Sequence, residues 1–400
     1  MKRFKMNAAD KEQRIEAADV LKGIALIGIL LMNMPDFYSP ASYYDHNLLD
    51  GSRMNYVANG LVDVVVGQTG YALLAILFGF GFMKMFQRTY ERQVSFTPFY
   101  VRRITALLLI GAIHALFIWH GDMIVMYSFF ALIMLFFQEA KKEVLLAWGT
   151  GIFSIYAVIM IVILTAAALV NEGDTAAGIH QPIIDQALQA YGHGSFASIF
   201  HQRLLDWYYA YNLNTVPFLF LSLFPLFLLG GFMAKSEWFE EIEEYIVETK
   251  WLCLISFIVY AASSVLPYVL DHNVATSYIH DTIGGTAGAI FIVTLVTLAM
   301  RSVSIQKVMQ PFAFLGRMIL TNYIVQSIVC TFLFYSYGLG YYGHISIVEG
   351  LAIAGIIIFV QLLGSWIWMS LFSDGPLEKL IGMLLMDAAA KNPFPSLYHW

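Results

Sequence analysis

The sequence predicts an all-α, polytopic integral membrane helix bundle of about ten transmembrane helices, with both termini on the cytoplasmic side. Two observations carry this. Of the 400 residues, 59% are hydrophobic and 12% are charged, about half the charged fraction of an ordinary soluble domain and too few to cover a water-exposed surface. The apolar residues also come in blocks, such as Gly23 to Met34, Val144 to Val170 and Ile347 to Phe372, and the last two exceed the roughly 20 residues that a bilayer core requires.

Hydropathy places candidate spans at residues 17–35, 61–85, 101–119, 122–138, 144–170, 214–234, 250–270, 282–300, 313–336 and 347–372. When the chain is threaded inside to outside from residue 1, all of the 22 lysines and arginines except Arg53 and Arg203 fall on the inner side. A wrong number of spans would scramble that segregation, so the positive-inside rule both orients and tests the topology. The basic N-terminus with its apolar run has no small-residue cleavage site after Met34 and reads as an uncleaved first span.

Without an internal repeat or a low-complexity linker, residues 1–400 form one transmembrane domain. Its long outer loops are 36–60 and 171–213, and a cytoplasmic acidic amphipathic helix is expected at about 236–248. Ile199 to Asn212, with Trp207, Tyr208, Tyr209 and Tyr211, reads as an interfacial helix. The net charge of −6 and the scattered basic residues exclude nucleic acid as a partner; lipid is the partner instead. Cys253 and Cys330 each sit alone in an apolar stretch and read as packing residues.

A charged side chain in the middle of a span costs about 2.5–3.5 kcal/mol on insertion scales, so each one asks for a reason. Asp19 and Lys22 open the first span as an N-cap and a cationic anchor, and Asn33 lies three turns beyond Lys22, about 16 Å along the same face. In the third span His114 stands in the same relation to Arg103, beside Arg102, with Trp119, His120 and Asp122 just beyond. Asp122 could cap the fourth span or orient an imidazole. Gly79 and Gly81 in Leu-Phe-Gly-Phe-Gly permit close helix approach rather than phosphate binding, because no strand precedes them. Asn322 and Gln326, four residues apart, face one way, with Arg317 at the basic end of the same span. Asp374 to Lys379 reads as a helix stop with a short amphipathic tail.

All the histidines except His399 lie in outer loops or outer halves of spans. With the cations inside, this suits a polyanionic ligand met from the cytoplasm and proton chemistry towards the exterior. An outward metal site from His120, Asp122, Asp271, His272, His280 or Asp281 lacks tight ligand spacing, and no metal is expected.

The opening Asp19 to Gly23 with Asn33, the Leu-Phe-Gly-Phe-Gly of span two and the Arg-Arg…Gly-x-x-His…Trp-x-Gly-Asp block of Arg102 to Asp122 resemble the YeiB family of bacterial inner-membrane proteins. So do Phe227 to Gly231, Gly316 to Ser327 and Gly375 to Glu378, in the same order along nearly the whole chain. That family is placed with the transmembrane acyltransferases. The resemblance implies a bacterial cytoplasmic (inner) membrane protein that binds acyl-CoA from the cytoplasm. It would pass the acyl group to a hydroxyl or amine on an extracytoplasmic glycan or lipid. It also leaves a homodimer as an expectation. His114 would be the catalytic base or acyl acceptor and Asp122 its orienting partner. Lys22, Arg102, Arg103 and Arg317 would hold phosphates, with Asp19, Asn33, Trp119, Asn322 and Gln326 in the binding path. Lys22 replaces the family's usual arginine, which keeps the charge and loses the bidentate fork. His46 and His120 stay open as alternatives to His114. The competing reading is a transporter or flippase of a small solute or lipid, whose path the same intramembrane polar residues would line.

Overall fold

In the computed structural model, residues 16–43, 53–91, 93, 95–170, 181–270 and 273–385 are described, and every element among them is helical. The chain runs through α1 (Glu16–Tyr38), a 3-10 turn (Ala41–Tyr43), α2 (Arg53–Val65), α3 (Thr69–Glu91) and α4 (Phe96–Ile113). A π turn (His114–Ile118), α5 (Ile124–Ile133), α6 (Lys142–Val170), α7 (Gln181–His193), α8 (Phe196–Ala210), α9 (Val216–Lys235) and α10 (Ile246–Val269) follow. The remainder is α11 (Val274–Tyr278), a second π turn (Ile279–Gly284), α12 (Gly285–Ala299), α13 (Val303–Arg317), α14 (Ile319–Phe334), α15 (Ile347–Leu371) and α16 (Pro376–Leu385).

Among the described residues, 8 helices are long and apolar enough to cross a membrane, or 9 if the bent pair α13–α14 is one span. The predicted span 122–138 is present as a shorter apolar helix, Ile124–Phe137. The lipid-facing character is plain on α6, where Ile155, Val158 and Val162 are 60% or more exposed. A helix that is apolar all round yet unburied by protein has hydrocarbon as its solvent.

The central element is α1, which touches α3, α12, α13, α14 and α15. It can do so because small residues let backbones meet. A Cβ on Gly23 would lie 2.2 Å from the Phe312 carbonyl oxygen, and one on Gly316 would lie 1.9 Å from that of Asp19. The crossing of α3 with α9 is built the same way: a Cβ on Gly79 would meet Phe227 O at 1.9 Å and one on Gly230 would meet Ile76 O at 1.9 Å. The glycine motifs of spans two and six are thus two halves of one contact.

Two expectations need correction. Span 313–336 is not one straight helix: α13 and α14 are bent by 75° at Met318. The amide groups freed there are taken by a carboxylate, since Glu378 Oε1 accepts from Leu320 N at 2.8 Å and Thr321 N at 3.1 Å. The expected amphipathic helix at 236–248 is instead a run of turns over 236–245, and helix resumes only at Ile246. Glu237 sits at φ 51°, and Glu237, Glu240, Glu241, Glu243 and Glu244 would bring like charges together at i,i+3 and i,i+4 on a helix. The same repulsion, chiefly from Glu244, raises the Glu241 carboxyl above its ordinary range.

Candidate functional site

The site lies where α4 loses its regular pitch. His114 opens the π turn, whose widened ring is closed by Trp119 N donating to His114 O at 2.9 Å. Single π turns inside α-helices commonly mark sites where a side chain must be re-aimed. The imidazole Nδ1 lies 2.8 Å from Asp122 Oδ2, and both side chains are fully buried. The other oxygen of Asp122 accepts from Val125 N at 2.8 Å, so this residue both starts α5 and orients the histidine. His114 Nε2 is buried with no hydrogen-bond partner among the described residues. With Asp122 ionised and accepting from Nδ1, the neutral ring carries its proton there and leaves the Nε2 lone pair free.

On the basic side of this dyad a cavity of about 150 Å³ is lined by Lys22, Arg103 and Arg317 at one end and by Met123, Tyr127 and Tyr323 at the other. Tyr323 lines the cavity and its ring lies 5.0 Å from that of His114; the imidazole itself is not in the wall. Tyr323 is held there by a long hydrogen bond from its hydroxyl to Gly121 O, 3.3 Å. The basic end carries acids too. Lys22 Nζ pairs with Asp19 Oδ1 at 3.1 Å, and Asp374 and Glu378 share the lining with Arg317. Arg317 donates to the Ser373 carbonyl at 3.0 Å. Burial raises the Glu378 carboxyl above its ordinary range, against the hydrogen bonds from Thr321 and Leu320 that pull it down.

The remaining sequence-selected residues divide. Asn33 Oδ1 accepts from the Tyr71 hydroxyl at 2.6 Å, and Tyr71 O accepts from Tyr127 at 2.7 Å, a chain that joins α1 to the cavity wall. Asn322 bonds across to α15, donating to Ser365 Oγ at 2.9 Å and accepting from Gln361 at 2.8 Å, so it braces the bend. Gln326 is buried with its Oε1 unpartnered. Trp119 stacks on Phe37 at 4.1 Å, beyond the dyad. Arg102 is exposed and lies outside the cavity lining. His46, Asp271 and His272 lie outside the described residues. His120 Nδ1 is 3.8 Å from Asp206, and His280 is 3.1 Å from Asp63 on the second π turn. Among the described residues, no group of three or more His, Cys, Asp or Glu could hold a metal ion. Sequence reasoning did not single out Tyr71, Tyr127 and Tyr323, although Tyr323 stands inside the quoted motif.

The family described as "Protein of unknown function (DUF418)" matches residues 233–385. The uncharacterized protein YxaH of Bacillus subtilis (strain 168) is 33% identical over 382 residues, covering 92% of this chain and 93% of YxaH. The chain belongs to the YeiB-like family. YeiB of Escherichia coli (strain K12) is 26% identical over 397 residues, covering 94% of this chain and 97% of its own. An uncharacterized 39.9 kDa protein of Bacillus acidopullulyticus is 24% identical over 387 residues, covering 92% of each chain. No solved structure matches. The matches to YxaH and YeiB run nearly end to end.

Proposed function

We propose that this YeiB-like protein is a transmembrane acyltransferase of the bacterial cytoplasmic membrane. It takes an acyl group from cytoplasmic acyl-CoA and delivers it to an extracytoplasmic hydroxyl or amine. The observation that carries the reading is a buried His114–Asp122 dyad, its Nε2 unpartnered, one aromatic ring beyond a cavity that begins among Lys22, Arg103 and Arg317.

The chemistry follows from that arrangement. Asp122 fixes the proton on Nδ1, so Nε2 takes the proton from the acceptor's O–H or N–H as that atom attacks the thioester carbonyl. The C–S bond breaks, CoA leaves as the thiolate, and the imidazolium returns the proton to it. Lys22, Arg103 and Arg317 lie at the end of the cavity suited to CoA phosphates, and an extended pantetheine arm would run along the apolar wall of Leu26, Leu74 and Leu107. Phosphates there would compete with Asp19 for Lys22 and with Asp374 and Glu378 for the field around Arg317. Because Tyr323 stands between the cavity and His114, the thioester reaches Nε2 only when that ring turns aside.

The 75° break between α13 and α14 at the cavity favours a second reading, since carriers place substrate at unwound helix junctions. Thermal unfolding of the purified protein with acetyl-CoA separates the two. Saturable stabilisation supports acyl transfer, and none across acetyl-, succinyl- and long-chain acyl-CoA supports transport.

A further inference from the structure

Arg203 is one of two basic residues that the sequence places away from the basic end, and α8 buries it completely with Ile199, Gln202 and Asp206 on the same face. Its Nη1 donates to the Leu116 carbonyl at 2.9 Å, in the π turn that begins at His114. Nε and Nη2 are buried and have no partner among the described residues. Those two groups form the side of a guanidinium that meets a carboxylate or phosphate with two parallel hydrogen bonds. The same protein shows that edge in use: Arg301 Nε and Nη2 donate to Glu243 Oε1 and Oε2 at 2.8 and 2.9 Å.

The neighbouring acid does not fill the role for Arg203. Asp206 accepts from Tyr43 at 2.6 Å, from Tyr191 at 2.5 Å and from Gln202 at 2.7 Å. A dehydrated cation with three of its five N–H donors idle is costly to keep, and so such groups are ordinarily paired. Trp119 Nε1, Tyr335 Oη and Gln202 Oε1 are also buried without hydrogen-bond partners among the described residues. Tyr335 stacks on Tyr191 at 4.5 Å, and Trp119 lies 6.5 Å from the His114 ring. Tyr191 donates in turn to Asp206, three residues from Arg203 on the buried face of α8, so Tyr335 packs on the Arg203 side of that helix.

We propose that the Nε/Nη2 edge of Arg203, with the Tyr335 hydroxyl on the same side of α8, is a binding site for an anionic group of a small ligand, a carboxylate or a phosphate monoester. Its place beyond His114, on the side away from Lys22, Arg103 and Arg317, makes that ligand the acyl acceptor. This identification rests on the proposed function, whereas the anion site stands on its own geometry. An acceptor anchored by its charge at Arg203 would present a nearby hydroxyl or amine to Nε2.

The test uses full-length protein in nanodiscs, with thermal unfolding and titration calorimetry against D-glucuronate, glycerol 1-phosphate and, as neutral controls, glucose and glycerol. Saturable stabilisation by glucuronate alone identifies a carboxylate ligand, and by glycerol 1-phosphate alone a phosphate ligand; the neutral compounds do nothing. Arg203→Lys keeps the charge and loses the fork, so binding weakens about tenfold or more. Tyr335→Phe removes a single unpartnered oxygen, leaves the melting temperature unchanged and weakens binding severalfold, which decides the matter if the Arg203 variant does not fold. The proposal is overturned if neither anion stabilises the wild type, or if both variants bind as the wild type does, the result expected when an internal water alone satisfies the guanidinium. Anion binding without acetyl-CoA binding would sink the acyltransferase reading and leave this site standing.

Discussion

Asp122 divides its two oxygens between the start of one helix and the side chain of another: Oδ1 accepts from Val125 N and Oδ2 lies 2.8 Å from His114 Nδ1. An amide in its place could still accept from Val125 while turning its NH2 towards the ring. That would force the His114 proton onto Nε2. Asp122→Asn should therefore fold, with a melting temperature within a few degrees of wild type, yet lose about 10²–10⁴ in acyl-transfer rate, the range a general base supplies. Release of free CoA thiol from acetyl-CoA by each protein in liposomes measures it. Equal loss of folding and activity would point to a merely structural aspartate.

Tyr323 stands between the cavity and His114 with its hydroxyl bonded to the Gly121 carbonyl at 3.3 Å and to the Met123 backbone. Replacing Tyr323 with Phe removes that latch and keeps the ring. CoA release to water should rise relative to transfer, because the thioester and water reach Nε2 more often. A hydrolysis rate equal to wild type would show that the ring is no gate.

The α3–α9 crossing depends on Gly79 and Gly230, each facing the other helix's carbonyl at a distance no Cβ can occupy. Gly79→Ala or Gly230→Ala should destabilise by about 1–3 kcal/mol, the usual cost of overpacking, read as a fall in melting temperature in detergent. Gly151, with nothing within 4 Å of a Cβ built on it, is the control and should tolerate alanine.

Glu378 caps the broken α14 from α16 in a half-buried position, and desolvation there raises its carboxyl above its usual 4.5. The folded protein thus holds this proton more tightly than the unfolded chain. The stabilisation is fully present below pH 4.5 and is lost as pH rises through the raised value. Thermal melts between those limits should lose stability with rising pH in the wild type, and Glu378→Gln should flatten that slope. An unchanged slope in the variant would assign the dependence elsewhere.

Much of this was legible in sequence because the solvent is lipid. Long apolar blocks and the sidedness of lysine and arginine follow from local rules, whereas the pairing of His114 with Asp122 was what the family resemblance implied. The Leu-Phe-Gly-Phe-Gly motif announced close packing, although its partner at Gly230 needed the fold. The bend at Met318 was not legible, because nothing in Gly316 to Tyr323 breaks a helix by itself; it is made possible by Glu378, far away in sequence, supplying acceptors to the freed amides. Arg203 looked like noise in the charge count until its two unpartnered nitrogens were placed behind the π turn.

The most direct measurement is transfer of radiolabelled acetyl from acetyl-CoA, supplied at the cytoplasmic face of proteoliposomes, to envelope material at the other face, comparing wild type with His114→Ala. The account predicts transfer by the wild type and none by the variant, with acetyl-CoA binding undiminished in both. Transfer by His114→Ala at the wild-type rate would contradict it.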